Sequence, residues 1–230
     1  MTVYSNERTL TIPQKNLPDG LPINQRVAMD GLTFMSRLPE DCIAAAFFDP
    51  QYRGVLDKLR YGNEGVSRGQ RRSALPQMSS DTIAEFVRAI HRVLGPSGHL
   101  FLWIDKYHLC DGINEWIEDT TFETVDLITW NKSRFGMGYR TRRTAEYLII
   151  LQKEPKRAKG IWTRHDIRDV WEEKAPTDSV HPKPVELQQA LIEATTAPND
   201  PVLDPAAGSF SVLKACQLAG RTFVGCDVNG

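Results

Sequence analysis

The stretch FFDPQY, Phe47 to Tyr52, closes an apolar run that begins at Ile43 with an acid, a proline, an amide and a tyrosine. A run of that length bounded by a turn signal reads as a buried strand. Asp49 and Tyr52 then stand together at the strand's end: a carboxylate that accepts hydrogen bonds, beside a ring that stacks on planar groups. A second constellation lies in PVLDPAAGSFSVLKACQLAGRTFVGCDVNG, Pro201 to Gly230, which reads as strand, tight glycine turn, helix, strand and acid. Gly208 lets the backbone approach a ligand, and the helix from Ser209 offers free N–H groups there. Asp227 ends the next strand, 23 residues after Asp204. A carboxylate at that place accepts both hydroxyls of a ribose. The same pattern also occurs as a plain glycine turn in any α/β unit.

Two features argue against NAD as the nucleoside. The G-x-G-x-x-G fingerprint is absent, and Asp204 stands where a pyrophosphate would lie and be repelled. A cationic or zwitterionic nucleoside fits better, such as S-adenosylmethionine with its sulfonium and ammonium groups. Other chemistries lack their residues. Cytosine C5 methylation needs a nucleophilic cysteine, typically after proline, whereas Cys42, Cys110, Cys216 and Cys226 follow Asp, Leu, Ala and Gly. The five histidines show no metal-ligand spacing, so no metal is expected. No G-x-S-x-G elbow is present for a hydrolytic triad.

These groups need a scaffold, and the 230 residues suffice for one domain with a real core. The net charge of −1 leaves nucleic acid open as a partner, since a local basic face would suffice. Scattered cysteines without a CxxC pair read as reduced thiols of a cytoplasmic protein. No export leader and no membrane-length apolar segment is apparent. Strands are expected at Gln25–Met29, Ala44–Phe48, His99–Ile104, Glu123–Trp130, Ala145–Gln152, Pro201–Leu203 and Thr222–Cys226. A helix starts after Ser79-Ser80, with Ile83, Phe86, Val87, Ile90, Val93 and Leu94 on one face, and stops at Gly95-Pro96. Leu109–Glu118, Val185–Thr195 and Ser209–Leu218 are further helix candidates. Helices alternating with apolar strands imply a mostly parallel sheet covered on both faces. Residues 53–77, rich in Gly and Arg, read as a mobile basic loop, and residues 153–180 as a second long insertion.

Four motifs in sequence order carry a family resemblance. DPQY resembles the DPPY catalytic motif of DNA amino-methyltransferases. HPKPVEL, His181 to Leu187, resembles their H-P-x-Q-K-P-x-x-L segment. DPAAGS resembles the cofactor motif D-P-F-x-G-S-G, and FVGCDVN resembles the strand with the ribose-binding acid. Trp130 to Lys153 resembles the family's late strand pair. Catalytic motif first and cofactor motif last is the permuted order of the β-group. The resemblance implies a Rossmann-like, S-adenosylmethionine-dependent methyltransferase fold of the α/β class, circularly permuted. Its mostly parallel sheet has seven strands in family order 3-2-1-4-5-7-6. The strand before Asp30 would be strand 3, and the chain would stop just after strand 2, without the helix that follows in longer relatives. The resemblance assigns the cofactor to His181, Lys183, Asp204, Pro205, Ala206, Gly208, Ser209, Asp227 and Asn229, with Asp49 at the boundary. Asp30, in AMDGLTF, matches the acid that accepts from the cofactor's adenine amine, or else caps the turn at Gly31.

The implied activity is methyl transfer to the exocyclic N6 of a flipped adenine in DNA. Asp49 accepts one amine N–H, the Pro50 carbonyl accepts the other, and Tyr52 stacks on the base. Gln51 replaces the family's usual proline and loosens the turn. Asp as first motif residue leans toward adenine, since Ser is commoner in N4-cytosine members. N4-cytosine, an RNA base, or a catalytically silent nucleic-acid-binding subunit are the alternatives. Substrate and DNA contact is expected from Gln51 in the motif, from Arg53, Arg60, Arg71 and Arg72 after it, and from Lys132, Arg134, Tyr139 and Arg142 in the late strand pair. Residues 153–180 sit where the family places target recognition. So short a region suits a homodimer sharing the work, and a place in restriction-modification.

Overall fold

The computed structural model describes residues 16–51, 78–136, 141–174 and 183–230. Strand β1, Ile43–Phe48, is buried at all six positions. Its residues alternate between two cores, as a period of two requires. Ala46 and Phe48 join one cluster, and Ala45 and Phe47 join the other. A strand covered on both faces must be apolar throughout, which explains IAAAFF. Helix α1, Gly31–Met35, and helix α2, Ser80–Val93, cover the first face. Ser79 caps α2 by accepting from Thr82 N, and Ile83, Phe86, Val87, Ile90 and Val93 are buried, as the periodicity predicts.

Strand β2 runs from Leu94 to Ile104, so Gly95-Pro96 belongs to a strand rather than to a turn after the helix. The irregularity they cause is absorbed between Ile43 and Ala45 of β1. Two short helices follow, α3 at Lys106–Asp111 and α4 at Asn114–Ile117. They replace the single helix expected over 109–118, because Gly112 at φ 91° ends the first. Strands β3, Glu123–Gly136, and β4, Arg143–Gln152, form an antiparallel pair. Then come β5, Val170–Glu172; α5, Val185–Thr195; β6, Pro201–Asp204; α6, Ser211–Ala219; and β7, Thr222–Gly225. Helices α5 and α6 supply Leu187, Leu191, Ile192, Val212 and Ala215 to the second core.

The seven strands are ordered β5-β3-β4-β2-β1-β6-β7. Strand β1 is parallel to both β2 and β6, β6 to β7, and β3 to β5, while β4 is antiparallel to β2 and β3. The sheet is thus mostly parallel, but its seventh strand is not the expected one. Gln25–Met29 makes only an isolated bridge, Ala28 to Asp227. Its approach to β7 is broken at Asn24, which has φ 55° and accepts from Phe223 N through its side chain. The seventh strand is β5, from the 153–180 insertion, at the opposite edge.

This added edge also secures α5, whose N-cap, Pro184, makes no side-chain cap bond. Glu173, next to β5, substitutes for it. Its two carboxylate oxygens accept from Glu186 N and Leu187 N, each at 3.0 Å. Trp171 Nε1 donates to the same carboxylate at 2.9 Å, and Trp130 Nε1 donates to the Glu173 carbonyl at 2.8 Å. A carboxylate on the first N–H groups satisfies orphan donors and the helix dipole together. Glu173→Ala should therefore lower stability by about 1–2 kcal/mol, the usual cost of a lost cap. Urea unfolding against the parent chain measures it, and an unchanged midpoint would refute the capping role.

Candidate active site

Strands β1 and β6 are parallel neighbours, with Ala45 opposite Val202 and Ala46 opposite Leu203. From β1 the sheet continues through β2, and from β6 it continues the other way through β7. The chain order reverses between them, and the carboxyl ends of such strands are where open α/β sheets bind ligands. Asp49 leaves β1 and Asp204 ends β6 at this junction. A cleft of about 670 Å³ opens there, lined by Asp30, Asp49, Gln51, Lys183, Asp204 to Ser209, Asp227 and Asn229, among others. Its volume suits a nucleoside-sized ligand.

One wall is the turn after β6. Ala207 N donates to Cys226 O, which anchors the turn to the end of β7. Gly208 has φ 50° and Phe210 has φ 60°, both left-handed. A phenylalanine in that region is strained by about 1–3 kcal/mol, and such strain gathers at ligand sites. Asp227 Oδ2 accepts from Gly208 N at 2.9 Å, and Oδ1 accepts from Asn229 N at 2.9 Å. The acid thus ties the glycine turn to the segment after β7 while it lines the cleft. Of the two roles expected for Asp30, the cap is the one seen. It caps α1 by accepting from Thr33 N at 2.8 Å, and it also lines the cleft. Gly31, next to it, is packed so closely on the Pro205 carbonyl and the Phe86 ring that a Cβ would clash with both.

Asp204 is only 5% exposed and accepts from Ala206 N at 3.3 Å. Burial pushes its carboxyl well above the ordinary range, and the nearby Asp49 and Asp227 push it the same way, against the Ala206 N–H and Lys183. A pocket with that bias favours a cationic guest over an anionic one. The observed set of acidic groups therefore fits S-adenosylmethionine and disfavours a pyrophosphate.

Asp49 lies on the other wall. Lys183 Nζ sits 3.0 Å from Asp49 Oδ2 and 2.9 Å from Glu146 Oε2. Lys183, expected among the cofactor residues, is thus paired with Asp49, the acid expected to be catalytic. Glu146 in turn holds Lys132 Nζ at 2.9 Å, so Lys132, expected on DNA, faces an internal acid. Arg134 and Arg142 are exposed near the open end of the β3–β4 pair. Gln51 lines the cleft and its carbonyl accepts from Met78 N at 2.7 Å, which anchors the turn that the missing proline would have stiffened. Pro50 is buried beside it. Tyr52, the loop 53–77 with Arg53, Arg60, Arg71 and Arg72, and also Tyr139 and His181, lie outside the described residues.

Several lining residues escaped sequence reasoning. Phe86, Trp103 and Val212 were legible only as core positions. Glu146 had a signal, an acid inside the apolar strand RTAEYLIILQ. The Cys42, Cys216 and Cys226 thiols are pushed up to about 11, 12 and 12, chiefly by burial, so none is a ready nucleophile.

Fold and cleft together place the chain among the Rossmann-like methyltransferases. Residues 75–230 match the family model for N6/N4 DNA methylases. Over 208 residues the chain is 50% identical to the Type II methyltransferase M.HhaII of Haemophilus parahaemolyticus, covering 90% of this chain and 91% of that one. Its fold is similar to that of M1.HpyAVI in complex with S-adenosylmethionine, with a TM-score of 0.63 and 18% identity over 88% of this chain and 92% of that one. It is also similar to PvuII DNA methyltransferase (cytosine-N4-specific), with a TM-score of 0.66 and 14% identity over 92% and 86%. The chain belongs to the DNA methylase family, and its reaction is methyl transfer from S-adenosylmethionine to DNA. Asp227→Ala should weaken S-adenosylmethionine binding by about 1.5–3 kcal/mol, the worth of a charge-assisted hydrogen bond. Titration calorimetry tests this, and unchanged affinity would remove Asp227 from the cofactor site.

Proposed function

We propose that the methylated atom is N6 of adenine, turned out of the duplex into the cleft beside Asp49. The observation that carries this reading is the ion-paired carboxylate of Asp49 at the end of β1, on the cleft wall opposite the glycine turn. The amine of adenine is a poor nucleophile because its lone pair is delocalised into the ring. Asp49 accepts one N–H and the Pro50 carbonyl accepts the other, which draws the nitrogen toward tetrahedral geometry. S-adenosylmethionine, when bound, supplies an electrophilic methyl group on its sulfonium. Orientation and fixed electrostatics then do most of the work. The nitrogen becomes cationic on methylation and releases its proton to water, so Asp49 need not be a strong base. Tyr52 stacks on the extruded base, and stacking of about 1–3 kcal/mol offsets part of the cost of flipping.

One experiment decides the reading. Labelled S-adenosylmethionine and plasmid DNA are incubated with the protein and with Asp49→Ala, and the digested nucleosides are identified by mass spectrometry. N6-methyladenine from the parent chain and none from the variant are expected. N4-methylcytosine, or comparable turnover by the variant, would overturn it.

DNA binding by the Arg-rich loop 53–77, with Arg134 and Arg142, belongs to the same proposal. Each neutralised phosphate contributes about −0.9 to the slope of log K against log salt. Replacing Arg71 and Arg72 together by Ala should flatten that slope by up to about 2 without changing the methylated sequence, because phosphate contacts position and base contacts specify. An unchanged slope in fluorescence-anisotropy titrations would make these arginines plain surface. Target recognition by 153–180 is proposed on its exposed edge, where Val170 and Glu172 of β5 face solvent.

A further inference from the structure

Four charged side chains form one line behind the cleft, with signs that alternate. Asp49 Oδ2 is 3.0 Å from Lys183 Nζ, Lys183 Nζ is 2.9 Å from Glu146 Oε2, and Glu146 Oε1 is 2.9 Å from Lys132 Nζ. The Lys183 ammonium also lies 4.6 Å from the centre of the Trp103 ring, in cation–π range. The Lys183 side chain is only 15% exposed and reaches three different elements, β1, β4 and β2, from just before α5. A long flexible chain held at three points is fixed in place, which a solvated lysine is not.

We propose that Lys183 is a positioning residue for methyl transfer: it grips one oxygen of Asp49 so that the carboxylate stays an oriented anion able to accept the amino N–H of the target base. The inference rests on the reading of Asp49 as the group that binds that amine. Its need follows from the surroundings of Asp49. Asp204 on β6, Asp227 after β7 and Asp30 before α1 line the same cleft as Asp49, and Glu146 on β4 lies behind it; among the described residues Lys183 and Lys132 are ion-paired to acids of this group. Crowded acids favour the protonated form of one another. A protonated Asp49 would offer a donor where the amine requires an acceptor. Glu146 is the anchor of the arrangement. Burial opposes its charge, yet Lys183 and Lys132 hold its carboxyl down at about 2. Lys183 is likewise disfavoured by burial, and Asp49 and Glu146 more than reverse this and raise it above the usual lysine range. The ammonium is assigned no proton transfer and acts by charge and place.

The test follows the Asp49 carboxyl directly, by carbon-13 NMR of donor-free protein with labelled aspartate, assigned with Asp49→Asn. It is combined with single-turnover methylation across pH. Removing the cation makes ionisation harder, so in Lys183→Met both the Asp49 titration and the acid limb of the rate should move up by about 1–2 pH units. Lys183→Arg should restore both toward the parent values. Glu146→Gln removes an anion and should move the Asp49 titration the opposite way, to lower pH, and this arm stands alone if Lys183→Met does not fold. An Asp49 titration unchanged in Lys183→Met, or moved up or unmoved in Glu146→Gln, would overturn the inference. If the parent chain methylates adenine and Asp49→Ala does not, that failure touches Lys183 only. A parent chain that methylates no adenine fails at the earlier reading instead.

Discussion

Strands β1 and β6 end side by side, and each delivers a carboxylate to one cleft. This juxtaposition of Asp49 and Asp204 is the constraint around which the rest of the molecule is arranged. The two acids lie close enough that each disfavours the other's charge, and Asp204 is buried as well. The two are treated differently. Asp204 is buried, bonded to the backbone and pushed toward its neutral form. Asp49 is more exposed and held against an ammonium.

The cost of that ammonium explains features far from the cleft. A buried cation needs partners, and the attraction offsets its desolvation only when geometry is good and every charge is answered. Glu146 answers Lys183, and Lys132 answers Glu146, so each charge of the line has an opposite neighbour. Lys183 must also be delivered to the correct place. It stands directly before α5, whose start is held by Glu173, and Glu173 is held by β5 against β3. The insertion expected to read DNA thus contributes, through β5, to fixing the lysine beside Asp49.

How much of this was legible in the sequence depends on the range of each interaction. Asp49, Asp204, Gly208 and Asp227 were found because the signals are local: an apolar run that stops at an acid, and a glycine turn between a strand and a helix. Helix α2 was found for the same reason, with its cap at Ser79 and its face at helical spacing. Gln25–Met29 has an apolar character suited to a strand, yet the left-handed Asn24 and its side-chain bond to Phe223 reduce it to a bridge. Strand β5 has three residues and no periodicity to read, and its pairing with β3 joins positions about 40 residues apart. Lys183 was seen as a motif residue, but its partners, Asp49 and Glu146, are 134 and 37 positions away. Spacing along a chain carries no information about contacts of that kind.

The same arithmetic of charge reconciles a chain with a net charge of −1 with a polyanionic substrate. Ion pairs that are satisfied internally add nothing to the field outside. Lys132 and Lys183 are consumed by Glu146 and Asp49. Lys153 is consumed by Asp41 and by the carbonyls of His91 and Leu94 that end α2. Arg92 is consumed by the carbonyls of Met35 and Leu38. Each of these cations stabilises the fold at a point where polar backbone or an acid would otherwise be left buried without a partner. Among the described residues, Arg134 on β3 and Arg142 just before β4 are basic side chains exposed to solvent. Overall charge therefore says little about this chain's partner, because a cation paired inside the fold counts toward the total and not toward the face that a partner meets.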